Sequence, residues 1–73
     1  MKRMTTKATT GKRIRERRER LSMTQAELGR KVGVDGTKVY RWEADRNEPD
    51  LEELDRLAEA LHVSRAWLAW GQK

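Results

Sequence analysis

Apolar residues in this chain recur at helical spacing, and no segment alternates apolar with polar positions. The clearest stripe is Leu51, Leu54, Leu57, Ala58 and Leu61, whose three-four rhythm is that of an amphipathic helix. Pro49 disfavours a helical Glu48, and Asp50 with Glu53 three residues on marks the start of that helix. Val39 and Trp42, three apart, mark the inner face of a shorter helix, capped by Asp35 and running to about Ala44. Before it, Thr24-Gln25-Ala26-Glu27 fits a capping box for a helix that reaches about Val32 and buries Ala26, Leu28, Gly29 and Val32 in part. Gly33 then stops that helix in a left-handed conformation. Ile14 and Leu21, seven apart, share one face of a helix from Lys12 to Leu21, with Arg17 and Arg18 between them. Ser64 caps a last helix, Arg65 to about Trp70, ended by Gly71. The pattern predicts an all-α domain of five helices over residues 11–73. Residues 1–10, MKRMTTKATT, lack periodicity and read as a flexible basic arm.

Seventy-three residues suffice for one small domain, whose core is marginal unless the helices pack efficiently. The absence of cysteine removes disulfide and thiolate-metal chemistry, and the lone His62 makes no metal site. No apolar run approaches the length of a membrane span, and the basic start lacks the apolar segment of a signal peptide. A cytoplasmic protein without cofactor or metal is the simplest expectation. The net charge of +5 is unevenly spread. Residues 1–46 carry 14 Lys/Arg against 6 Asp/Glu, and residues 47–73 carry 3 against 6. A basic front and an acidic back suit one face turned toward a polyanion, or simply a highly charged surface.

The stretch Thr24–Glu43 narrows this choice. Two short helices joined by a tight turn, with small residues at Ala26 and Gly29, suit a close crossing that leaves the second helix free on one side. Such a unit sets its second helix in the major groove of DNA. With Val39 and Trp42 inside, the outward positions are Gly36, Thr37, Lys38, Tyr40 and Arg41. Arg41 has a fork that can donate twice to guanine, and Thr37 and Lys38 can meet a base or a phosphate. Thr24 and Gln25, at the start of the first helix of the pair, together with Arg46 and Asn47, are candidate phosphate contacts. Lys12 and Arg13 can reach the backbone from the first helix, and Lys2, Arg3 and Lys7 can follow a groove. The bland alternative for each is a solvated surface charge.

Taken together, LSMTQAELGRKVGV, VYRWE, EPDLEELDRLAEAL and VSRAWLAWG resemble the phage repressor and Cro type of helix-turn-helix domain over roughly residues 11–71. The resemblance implies a compact five-helix, lambda-repressor-like fold. It also implies homodimeric binding to a near-palindromic double-stranded DNA operator, and transcriptional regulation as a repressor. It further implies an ion pair between Arg18, on the inward face of the first helix, and Glu43, late in the third. The chain departs from the pattern at Gly29, usually alanine, and at Gly36, usually a polar side chain facing a base. It departs again at Ala44-Asp45, which replaces a glycine-containing turn.

Trp42 and Trp67 fit core positions, whereas Trp70 near the end is free to join a dimer surface with Leu68 or Ala69. No nucleophile–base–acid set or glycine-rich phosphate loop is visible, so an enzyme is not expected. The carboxylates of residues 50–59 read as the solvated face of a helix. The rival class is an interaction adaptor or antitoxin-like module, which would use the acidic fourth helix and Trp70 and lose nothing when Arg41 is removed.

Overall fold

The computed structural model describes residues 8–72, which form five helices: α1 (Thr10–Arg20), α2 (Gln25–Val32), α3 (Gly36–Glu43), α4 (Leu51–Leu61) and α5 (Arg65–Trp70). No strand occurs among the described residues. Every helix starts at a side-chain cap: Thr9, Thr24, Asp35, Asp50 and Ser64 each accept a backbone N–H three residues on. Thr24 with Glu27 and Asp50 with Glu53 complete reciprocal capping boxes. Accepting the Thr24 N–H is the main reason the Glu27 carboxyl sits below its ordinary value. That contribution is present above the unfolded pKa and fades as pH falls through the folded one. Gly33 and Gly71 end α2 and α5 in the left-handed region at φ 86° and 76°.

The core is Ile14, Leu28, Val32, Val39, Trp42, Leu57, Ala58, Leu61 and Leu68, with Leu21, Met23, Leu54 and Trp67 packed around it. α1 lies against α3, α4 and α5, and α2 lies against α3 and α4. The α2–α3 crossing is tight. A methyl group on Gly29 would stand 2.5 Å from the Val34 carbonyl oxygen, and one on Gly36 would stand 3.2 Å from the Ala26 backbone. Gly11, on α1, faces the Trp42 carbonyl with even less room.

The structure departs from the sequence expectations in several places. α1 begins at Thr10 rather than Lys12, so residues 8–10 are not part of a loose arm. The Thr9 hydroxyl donates to Asp45 Oδ2 at 3.0 Å, and the Thr10 hydroxyl donates to the Ala69 carbonyl at 3.1 Å. The rest of the arm, residues 1–7, lies outside the described residues. Ala26 and Leu51, both expected inward, are exposed. Ala26 contributes backbone to the crossing rather than side chain to the core. Leu51 stands on the first turn of α4 with most of its side chain in solvent. Asp45 adopts φ 60° in the exit from α3, the conformation a glycine takes more cheaply there.

Arginines of α1 do work that apolar residues alone could not. Arg13, 8 % exposed, donates to the carbonyls of Leu68, Ala69 and Ala8 at 2.9, 3.0 and 2.6 Å. Arg17 donates twice to the Leu61 carbonyl. These guanidiniums satisfy the orphan carbonyls at the ends of α5 and α4. Arg18 forks onto Glu43 at 2.6 and 3.0 Å and donates to the Met23 carbonyl at 2.8 Å. The Glu43 side chain is 5 % exposed. The hydrogen bond to Glu43 raises the Arg18 guanidinium above its ordinary value.

Two stability outcomes follow from these contacts. Gly29→Ala adds helix propensity of up to about 1 kcal/mol. The contact with the Val34 carbonyl outweighs it, for a net loss of about 1–3 kcal/mol in urea unfolding. A stability gain would show that the α2–α3 crossing relaxes freely. Arg18→Met leaves Glu43 buried without its cation and is expected to lower the unfolding free energy by about 3–5 kcal/mol. Arg18→Met with Glu43→Leu should lose clearly less than the two single losses added together. Additive losses would dissolve the coupling.

Candidate nucleic-acid interface

The interface is built on α3, whose rotation is set by Val39 and Trp42 beneath it. Thr37, Tyr40 and Arg41 are exposed on its outer side, Tyr40 to 51 %. Arg46 and Asn47 are exposed in the turn that follows, where both backbone N–H groups bond the Arg41 carbonyl. A shallow groove runs along this side, lined by Val34, Asp35, Thr37, Lys38, Arg41 and Asn47. A second groove opens between α1, α2 and α3, lined by Arg15, Arg18, Thr24, Gln25, Tyr40 and Glu43. The two grooves flank the α3 ridge.

Five of the residues read from sequence as DNA contacts are engaged within the protein. Gly36 is half-buried against Ala26, so its role is close approach of α3 to α2 and not readout. Lys38 pairs with Glu53 at 2.6 Å and passes over the Trp42 ring, 5.9 Å from its centroid. The Gln25 amide donates to Glu43 at 3.1 Å, and Gln25 lines the groove between α1, α2 and α3. Thr24 is exposed, and its hydroxyl oxygen accepts the Glu27 N–H at 3.0 Å. Arg13 is buried and spends its donors on the carbonyls of Leu68, Ala69 and Ala8, which leaves it unavailable to a phosphate. Lys12 is exposed on α1.

Counting apolar residues missed Arg13, Arg17 and Arg15. Arg13 and Arg17 are four apart, as are Ile14 and Arg18. That interleaved spacing was the available signal that these arginines share the inner face of α1. Arg15 lies on the outer side, bonded to Glu19 at 3.1 Å in an exposed pair, and borders the groove with Gln25 and Tyr40. Lys38 with Glu53 spans α3 and α4, and sequence spacing gives no cue for it.

The family model described as helix-turn-helix matches residues 14–68. Repressor protein C2 of Salmonella phage P22 is 43 % identical over 61 residues, covering 84 % of this chain and 28 % of that protein. The regulator DicA of Escherichia coli is 34 % identical over 65 residues, covering 89 % of this chain and 48 % of that protein. The chain thus spans less than half the length of either relative. The crystal structure of the P22 c2 repressor in complex with a synthetic operator superposes with a TM-score of 0.87 at 40 % identity, covering 92 % of this chain and all of that one. With its five helices, its α2–α3 crossing and these matches, the chain belongs to the helix-turn-helix family and has the fold of the phage repressor DNA-binding domains.

Proposed function

We propose that this chain binds double-stranded DNA sequence-specifically through α3 and regulates transcription as a repressor of phage or bacterial origin. The observation that carries this reading is the two-sidedness of α3. Val39 and Trp42 are 0 % and 1 % exposed, while Thr37, Tyr40 and Arg41 face outward between two grooves. An α-helix so presented fits the width of the major groove. Arg41 reads a guanine through its fork, Thr37 offers a methyl or hydroxyl to a base edge, and Tyr40 packs on sugar or a thymine methyl. Gln25, Arg46 and Asn47 hold phosphates and fix the register. Support comes also from the P22 c2 repressor, which has been crystallised with an operator. No catalytic step and no cofactor enter this reading. The protein acts where its operator is, in the cytoplasm of a bacterial cell or a phage-infected host.

The operator is near-palindromic in this reading, and the protein meets it as a homodimer. Trp70 is 68 % exposed and borders a groove lined by Pro49, Leu54 and Ala69, with Thr10 and Glu48 at its margins. An exposed indole beside aliphatic groups is the kind of surface two copies can share. Pairing there sets two α3 helices about 34 Å apart, one turn of DNA.

Selection from a random duplex pool is expected to return an inverted repeat whose half-site centres are one turn apart. Against that site, Arg41→Ala should lose about 1–3 kcal/mol and relax base preference at one position per half-site. An unchanged preference profile would overturn the assignment of α3 as the reading helix. Trp70→Ser should leave the fold intact and abolish the cooperativity of operator filling in a footprinting titration. Retained cooperativity would move the dimer contact elsewhere.

A further inference from the structure

Glu53 makes two connections at once. One carboxylate oxygen accepts the Asp50 N–H at 2.9 Å and closes the capping box of α4, while the other holds Lys38 Nζ at 2.6 Å. The Glu53 side chain is 13 % exposed and that of Lys38 is 44 % exposed. Lys38 lies in the groove beside Thr37, Arg41 and Asn47, the side of α3 on which a phosphate backbone would pass. The same ammonium also feels Asp50 and Asp35, and the Glu53 hydrogen bond is the main cause of its raised pKa. A lysine in this position would ordinarily add one cation to the count of neutralised phosphates. Its partner here is a carboxylate that the α4 capping box already orients, so the acceptor is fixed before any DNA arrives.

We propose that Glu53 holds Lys38 away from the DNA backbone, so that a cation on the DNA-facing side is withheld from sequence-independent binding. This rests on the DNA-binding reading above. Weaker binding to arbitrary sequence leaves less of the protein sequestered by competing sites, and that ratio governs operator occupancy. Glu53 thus tunes the interface as a positioning residue without touching the nucleic acid.

The test uses the full chain, a labelled random-sequence duplex and a range of salt concentrations. Glu53→Gln retains an oxygen for the Asp50 N–H and removes the charge that anchors Lys38. Its dependence of log K on log salt is expected to steepen by about 0.9, one additional phosphate contact. The affinity ratio of variant to parent should accordingly fall about threefold when salt rises about fourfold. The double variant Glu53→Gln with Lys38→Gln is expected to return to the parent slope. An unchanged slope in Glu53→Gln, with thermal unfolding confirming its fold, overturns the proposal. A steeper slope that survives in the double variant also overturns it, because the removed repulsion of Glu53 itself would then be the cause. In both cases the parent still binds. A parent with no salt-dependent affinity for the duplex would instead defeat the DNA-binding reading, and this proposal with it.

Discussion

The rotation of α3 about its own axis is the constraint on which the rest of the structure depends. Turned by a quarter, the same eight residues would bury Arg41 and expose Trp42. Val39 and Trp42 set that rotation from below, and Glu43 fixes it at the C-terminal end through the fork of Arg18 and the amide of Gln25. The pair therefore ties three helices at one carboxylate. An ion pair this buried adds little to net stability, because desolvation offsets most of its attraction. Its geometric demand is strict: a planar guanidinium and a carboxylate accept few relative orientations. Among the described residues the buried indole N–H of Trp42 has no acceptor, so packing and not a hydrogen bond holds Trp42. Direction at this end of α3 comes from Glu43.

The glycines complete the constraint along the other coordinate, the distance between α2 and α3. Gly29 and Gly36 let the backbones of the two helices approach where a Cβ would meet Val34 or Ala26. Gly36 gives up a side chain at the first turn of α3. In the DNA-binding reading, base recognition is then concentrated on Thr37 and Arg41. Such an interface reads few base edges and relies more on backbone placement and duplex shape.

Much of the fold was legible because local chemistry and tertiary packing agree. Caps at Thr24, Asp35, Asp50 and Ser64, the stops at Gly33 and Gly71, and the stripe of α4 are short-range signals, and each lies where a helix begins, ends or packs. The inward side of α1 was half legible. A reading that equates inward with apolar finds Ile14 and passes over Arg13 and Arg17, whose stems pack while their heads reach carbonyls 44 to 56 residues away. Leu51 departs in the opposite sense: it continues the α4 stripe and yet is exposed. On the candidate site, the outward sides of Thr37, Tyr40 and Arg41 followed from Val39 and Trp42. The commitment of Lys38 to Glu53 could not be read, since it depends on how the chain between α3 and α4 returns.

These commitments change what the basic front half of the chain means. A count of charges treats every lysine and arginine there as available to a polyanion. Yet Arg13 and Arg17 neutralise helix ends, Arg18 is matched by Glu43, and Lys38 by Glu53. Arg41 and Arg46 remain on the face that carries α3, with Arg15 at its margin in an exposed pair that a phosphate can displace at little cost. Among the described residues, a basic front half thus does not make every cation available to a polyanion. Part of that basic charge closes helix ends, through Arg13 and Arg17, or bridges helices, through Arg18 and Lys38. In the DNA-binding reading, salt dependence should then reflect the cations free at the interface rather than the net charge of the chain.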